Sequence, residues 1–188
     1  MRYKPGYKQE KRKELLQISG QLAKQQGFAA TGVDGFMKAA GVTSGAFYSH
    51  FSSKHELLKA LVETEMQQSL AMWQENPHDD PSDWIEFELN RYLNMSHVQH
   101  ADRGCVLPAL ANEVARSELD VKQLYQQELL RGHALFTQHL GCEIKAWGVL
   151  CQLVGAITLA RGMADENLQK QIIESSKAYL KASFLTQV

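Results

Sequence analysis

The sequence predicts an all-α chain, with a small three-helix unit at the N-terminus and a larger helical unit after it. Three observations lead there. Proline stands only at positions 5, 77, 81 and 108 of the 188 residues, leaving long stretches free of helix breakers. Apolar residues recur at three and four, the helical period, and no sustained period-two strand pattern appears. Glycine or a capping residue punctuates the chain at the ends of these periodic runs.

The elements follow in order. Residues 9–26 carry Leu15, Ile18 and Leu22 on one face, with Leu16, Ser19 and Ala23 beside it, and Gly27 stops the helix. Phe28 can fold back on the apolar face. A short helix at about 33–40 carries Val33, Phe36, Met37 and Ala40 and ends at Gly41. Thr43 or Ser44 can cap a third short helix ending near His50. Ser53 and Glu56 have capping-box spacing and open a long helix through Leu57, Leu61 and Met66 toward Trp73. NPHDDP, residues 76–81, is the clearest break; Asp80 as cap and Pro81 in the first turn begin a helix expected to reach about 98. HADRG, 100–104, reads as a loop, and 105–114 as a shorter helical piece that Pro108 could make irregular. Ser117 can cap a helix over 118–140 that Gly141 ends; helices at about 143–162 and 165–185 close the chain. In the first of these, Gly148 and Gly155 stand seven apart and permit close helix crossing, at a propensity cost of roughly 1 kcal/mol each. Its wide apolar face needs several neighbours, from its own chain or from a second subunit.

Composition narrows the function classes. Hydrophobic residues make up 44% of the chain, ample for a globular core. No uniformly apolar run stands out as a membrane span, and the basic opening MRYKPGYKQEKRK lacks the apolar stretch of a signal peptide, so a cytoplasmic protein is expected. Cys105, Cys142 and Cys151 lack paired spacing, which argues against a disulfide framework or an all-cysteine zinc site. Each suits a small buried hydrophobe, with Cys105 beside Gly104 the candidate for a redox or electrophile sensor. Net charge is only −1 but is unevenly placed: residues 1–60 hold ten Lys or Arg against four acids, a net of +6, and 61–188 carry −7. One end attracts a polyanion, whether nucleic acid, an acidic membrane surface or an acidic protein.

The stretch AAGVTSGAFYSHFSSKHEL, 39–57, decides among these. Two short helices joined by GVTS have the form of a helix-turn-helix. Phe47 and Phe51 lie four apart and face inward; Ser44 and Tyr48 lie four apart on another face, which His50 extends. Phenol, imidazole, hydroxyls and backbone amides all donate to phosphate oxygens, and Lys54 stands where its ammonium could reach one. A half-buried packing tyrosine and an ordinary surface histidine are the competing readings. The cluster together with the basic end favours DNA.

GFAATGVDGFMKAAGVTSGAFYSHFSSKHELLKAL, 27–61, resembles the signature of the TetR/AcrR transcriptional regulators, most strongly in Gly27-Phe28, AAGV, GAFYSHF and Lys54 with Glu56 and Leu57. The resemblance covers the first third of the chain. It implies a helix-turn-helix DNA-binding domain over 1–53 and a helical effector-binding and dimerisation domain over 54–188. It also implies a homodimer on a palindromic duplex operator, a small-molecule effector and no cofactor or metal. Ser44, Gly45 and Ala46 would meet base edges; Tyr48, Ser49, His50 and Lys54 would grip phosphates; Thr31 and Val33 would approach the backbone. The chain departs from the pattern at Gly32, where a hydroxyl residue usually caps helix 2, and at Gly35. Asp34 would repel phosphate, accept from a cytosine amino group, or favour the helix N-terminus, the last being preferred.

The resemblance further implies an effector cavity between about 65 and 140, for which an apolar or aromatic molecule is expected. Trp73, Trp84, Phe87, Cys105, Tyr125, Leu129 and His133 are its candidate residues, with Met66, Tyr92, Met95, Leu107, Leu110 and Phe136 behind them; each also suits ordinary core. An enzyme is the rival class, but no nucleophile elbow, phosphate loop or HExxH stands at its required spacing. His97, His100 and Asp102 could meet a metal by proximity, and solvated loop residues are the plainer reading. A protein-interaction module docking through the basic end is the third class.

Overall fold

The computed structural model describes residues 6–185. Arg2 and Lys4, part of the basic opening, lie outside them. The described chain holds ten α-helices: α1 Tyr7–Gln26, α2 Val33–Ala39, α3 Ser44–Phe47, α4 Lys54–Gln74, α5 Pro81–Tyr92, α6 Met95–Gln99, α7 Leu107–Ala115, α8 Leu119–Leu140, α9 Glu143–Arg161 and α10 Glu166–Leu185. A 3-10 turn, Ala101–Arg103, joins α6 to the segment before α7.

Helices α1–α3 form the N-terminal unit, closed around Phe36, Met37, Phe47 and Phe51, all essentially inaccessible. Burying Phe47 and Phe51 contributes about 2 kcal/mol each. Gly41 takes φ 66, the left-handed region. The chain therefore turns sharply off α2, and the Val42 amide bonds back to Met37 O at 3.0 Å while Gly41 N reaches Lys38 O. A side chain at 41 would be strained there, which fixes the helix-turn-helix corner on a glycine.

The second unit is a helical bundle. Helices α4, α8, α9 and α10 pack in succession, α5 lies on α8 and α10, and α7 is inserted between α1, α8 and α9. A single hydrophobic cluster runs from Leu15 in α1 to Leu180 in α10, so the two units share one core.

Several local expectations change. The helix expected over 81–98 breaks at Leu93, which leaves the helical region (φ −88, ψ 82); Asn94 then caps α6 by accepting from His97 N at 2.9 Å. Pro108 falls in the first turn of α7, where a missing N–H costs nothing, and disrupts no helix. Part of HADRG is the 3-10 turn and not open loop. The residue preceding α8 is Glu118, not Ser117, whose hydroxyl donates to Val114 O at 2.7 Å. At α4, Ser53 Oγ accepts from Glu56 N at 3.1 Å, but the Glu56 carboxylate returns to the amide and hydroxyl of Ser52, one residue earlier than a reciprocal box requires.

Helix α9 is long and apolar enough to cross a membrane by length and composition, with mean hydropathy 1.3, and 39% of that window is buried inside the fold. This qualifies the expectation that no run could span a bilayer. One face of α9 (Ala146, Val149, Leu150, Leu153, Ile157, Ala160) is core. The opposite face leaves Ile144 83% and Leu159 60% exposed, with Trp147 partly so. Nothing lies within 4 Å of where a Cβ would stand on Gly148 or Gly155, so neither glycine serves a helix crossing within the chain.

Candidate functional site

The first of two regions is the outer surface of α2, its turn and α3. Phe47 anchors α3, and its ring meets Tyr48 edge-on at 5.1 Å, which sends the phenol outward; Tyr48 is 67% exposed. Gly45 and Ser49 are exposed beside it, with Ala46 half-covered. The Ser49 hydroxyl donates to Ala46 O at 2.7 Å. His50 is half-buried with Nδ1 enclosed and without a protein partner. Burial lowers its pKa, and the charges of Lys8 and Arg12 lower it further, so the ring is neutral near pH 7.

The other sequence-predicted residues are engaged internally. Thr31 is buried and donates to Gly27 O at 2.8 Å, holding the α1–α2 loop. Val33 is half-buried at the start of α2. Ser44 Oγ donates to the Asp34 carboxylate across the helix-turn-helix, so Asp34 takes up the hydroxyl that resemblance placed at the bases. Lys54 Nζ donates to Ala29 O at 3.1 Å and lies 5.0 Å above the Phe28 ring, clipping α4 to the loop after α1.

Residues 16–61 match the family model described as bacterial regulatory proteins, tetR family. The N-terminal unit belongs to the TetR family. Over 55 residues, 29% of this TetR-family chain and 26% of the relative, it is 42% identical to the HTH-type transcriptional regulator AcrR of Shigella flexneri. To the HTH-type transcriptional regulator UidR of Escherichia coli strain K12 it is 20% identical over 103 residues, 55% of this chain and 52% of UidR. The chain thus spans between a quarter and about half the length of these curated relatives. Its fold extends the likeness: it is similar to a TetR transcriptional regulator from Chloroflexus aurantiacus J-10-FL, with TM-score 0.82, 19% identity, and coverage of 96% of this chain and 97% of that one. At that identity the likeness concerns the fold alone.

Three polar clips join the TetR-family N-terminal unit to the bundle, none of them visible from local sequence. The Glu113 carboxylate of α7 accepts from the backbone amides of Phe28 (2.8 Å) and Ala29 (3.0 Å). Lys24 of α1, largely buried, pairs with Glu65 of α4 at 2.8 Å and donates to Gly104 O at 3.1 Å. At the base of α4, His55 and Lys59 meet Asp120 of α8 at 3.0 and 2.9 Å. The lysine and histidine hydrogen bonds hold the Asp120 pKa down to about 2. His55, Glu118 and Asp120 are close enough to share a metal ion, but the Lys59 ammonium already occupies Asp120.

The second region is a cavity of about 190 Å³ among α4, α5, α6 and the 3-10 turn; Met72, Tyr92, His97, His100, Gly104 and Cys105 are on its wall. Of the seven effector candidates named from sequence, Cys105 lies on it. The others stand elsewhere. Trp73 and Trp84 both meet Phe136 edge-on, at 5.2 and 4.9 Å, and Trp84 stacks on His139. A Cβ on Gly132 would fall 2.7 Å from the Trp73 ring, so these aromatics fill the space between α4, α5 and α8. Phe87 lies under Arg91, Leu129 packs against the core, and Tyr125 is half-buried, its pKa raised by burial. His133 stacks on Trp147 at 4.2 Å, and its Nε2 lies 3.2 Å from Glu143 O.

His97 organises the cavity wall. Its Nδ1 lies 2.8 Å from Tyr92 O, while its Nε2 accepts from Cys105 N at 3.1 Å. An acceptor on one side and a donor on the other require the neutral ring with the proton on Nδ1. Burial lowers its pKa to about 4, which agrees. With both nitrogens held by backbone, His97 does not join His100 and Asp102 as a metal ligand. Cys105, 8% exposed, receives Leu107 N at 3.5 Å and the Ser69 hydroxyl at 3.8 Å on its sulfur.

Proposed function

We propose that this chain is a dimeric, DNA-binding transcriptional repressor of the cytoplasm, released from a palindromic operator by a small molecule. The observation that carries the reading is α3: a helix clamped by two buried phenylalanines behind a glycine corner, with Tyr48 held outward in a TetR-family unit. Tyr48, Ser49, Gly45 and Ala46 are its duplex-facing residues. Ser44 joins them once Asp34 releases it, and Lys54 once it leaves Ala29. Thr31 and His50 act by holding backbone and packing. The exposed Ile144, Trp147 and Leu159 with the uncovered Gly148 and Gly155 support a two-fold helix pairing through α9, joined by α10, whose Leu168 and Tyr179 are also exposed.

In this reading the three clips transmit the signal. An effector that moves α7 or the 3-10 turn pulls on Phe28, Ala29 and Lys24, and so changes the spacing of the two reading heads away from about 34 Å, one turn of duplex. Effector and operator then weaken each other's binding reciprocally. A cysteine-based sensor is the second reading, favoured by one observation: of the three cysteines, Cys105 alone is on the cavity wall.

Selection of bound fragments from random duplex by the purified protein tests the proposal. Recovery of a palindrome with half-sites one turn apart supports it; a protein indifferent to duplex at low salt overturns it. Tyr48→Phe is expected to weaken binding about tenfold across sequences alike. A large change of preference with unchanged background binding would contradict a phosphate role for the phenol.

A further inference from the structure

The cavity beside Cys105 holds a chemical imbalance. Tyr92 is 4% exposed and is on the cavity wall, yet its hydroxyl has no hydrogen-bond partner among the described residues. Arg161, at the end of α9, donates through Nη2 to His97 O at 2.8 Å; its Nε is buried without a partner, and no described carboxylate lies within ion-pair distance of it. The two groups are neighbours through His97, whose ring meets Tyr92 edge-on at 4.5 Å and whose carbonyl holds the guanidinium. Gly104, on the cavity wall, is the only cover between them: a Cβ there would stand 2.9 Å from Arg161 Nη2.

The remaining charges of the wall are accounted for. Arg91 is neutralised by the Glu88 carboxylate, 3.1 Å from its Nε, and also donates to Met72 O at 2.6 Å. His97 is neutral for the reasons above. Arg103 extends into solvent, 3.7 Å from Asp102. No carboxylate is on the wall itself. A guanidinium and a phenol that are both buried and both short of an acceptor call for an anionic oxygen, because leaving such donors unpaired costs about 1–3 kcal/mol apiece. Arginine pairs best with a planar carboxylate. The volume equals about six water molecules, which suits a compact organic acid and excludes a long chain.

We propose that this cavity is the effector site and takes a small organic carboxylate, its oxygens received by the Tyr92 hydroxyl and the Arg161 guanidinium and its apolar end resting on Met72 and Cys105. This names the ligand class of the regulator proposed above and rests on that reading only for its consequence. Gly104 O is the acceptor for Lys24, so seating an anion against the Gly104 segment shifts the clip on α1.

Calorimetry of the full chain with benzoate, benzamide and inorganic phosphate tests the site without DNA. One-to-one benzoate binding is expected, at least tenfold tighter than benzamide or phosphate. Tyr92→Phe, which removes only the unpaired hydroxyl and leaves the fold intact by melting temperature, is expected to weaken benzoate about tenfold, and Arg161→Gln about a hundredfold. Equal binding of the amide, tighter binding of phosphate, no effect of Tyr92→Phe, or no heat at millimolar benzoate would each overturn the assignment. Benzoate is also expected to lower operator affinity several-fold. Binding of benzoate with undiminished operator affinity overturns the effector role. A protein that binds benzoate but no duplex refutes the regulator reading and leaves the carboxylate site standing.

Discussion

Replacing Glu113 with alanine isolates the bond between the two halves of the molecule. Its carboxylate accepts two backbone amides, from Phe28 at 2.8 Å and Ala29 at 3.0 Å, across 85 and 84 residues of sequence. Hydrogen bonds to a charged group contribute about 1.5–3 kcal/mol when dry. The Ala29 bond is exposed, so water replaces much of it, whereas the Phe28 amide sits beside a buried ring. The net loss in Glu113→Ala is therefore about 1.5 kcal/mol, which for a chain of this size lowers the melting temperature by about 3–6 °C. Glu113→Gln keeps a neutral acceptor and is expected to lose about half as much. Hydrogen exchange read by mass spectrometry provides the local assay. The peptide containing Phe28 and Ala29 should exchange faster in the alanine variant by about tenfold, while peptides from α9 remain protected. Unchanged exchange at Phe28 and Ala29, whatever the melting temperature does, would refute the claim that α7 grips the N-terminal unit through this carboxylate.

Three other expectations follow from the same geometry. Asp34→Ala removes a negative charge from the duplex-facing side and frees the Ser44 hydroxyl; duplex affinity at low salt is expected to rise about fivefold, and a fall measured by fluorescence anisotropy would show that the Asp34–Ser44 bond helps reading. The His97 ring should keep its Nδ1 proton at pH 5 and titrate near pH 4 by nitrogen NMR. Because the unfolded ring titrates near 6.5, the unfolded chain binds more protons between those values, and stability contributed by the neutral ring is lost as pH falls through that window; a midpoint between 6 and 7 would contradict the backbone clip. Ile144→Asp, on the exposed face of α9, is expected to yield a folded monomer by sedimentation with stability changed by about 0.5 kcal/mol or less within the subunit. A dimer that survives the change would place the pairing surface elsewhere.

Much of this architecture is written in short-range pattern. Gly41 ending α2, Ser53 accepting from Glu56 N, and Asp80 accepting from the amides of Ser82 and Asp83 ahead of α5 are local devices, each decided within four residues. Helical period and caps therefore sufficed to draw nearly every helix, and the GAFYSHF stretch sufficed to point outward from a helix-turn-helix. The break at Leu93–Asn94 escaped because an apolar run continues through it, and asparagine as a cap looks the same as asparagine on a helix surface.

What local pattern could not reach is which polar groups meet. Lys54 and Ser44 carry the chemistry of phosphate contacts, but the folded chain brings Ala29 O to one and Asp34 to the other. Trp73, Trp84 and Phe136 suit a cavity wall as well as a core, and only the smallness of Gly132 facing Trp73 decides that they close on one another. Sequence by itself determined the helices, the reading unit and its family, because these depend on neighbours along the chain. The clips at Lys24 and Glu113, the paired demands of Tyr92 and Arg161, and the uncovered face of α9 were decided by tertiary structure, since hydrogen bonds and burial are settled by distances in space between residues some seventy to ninety positions apart.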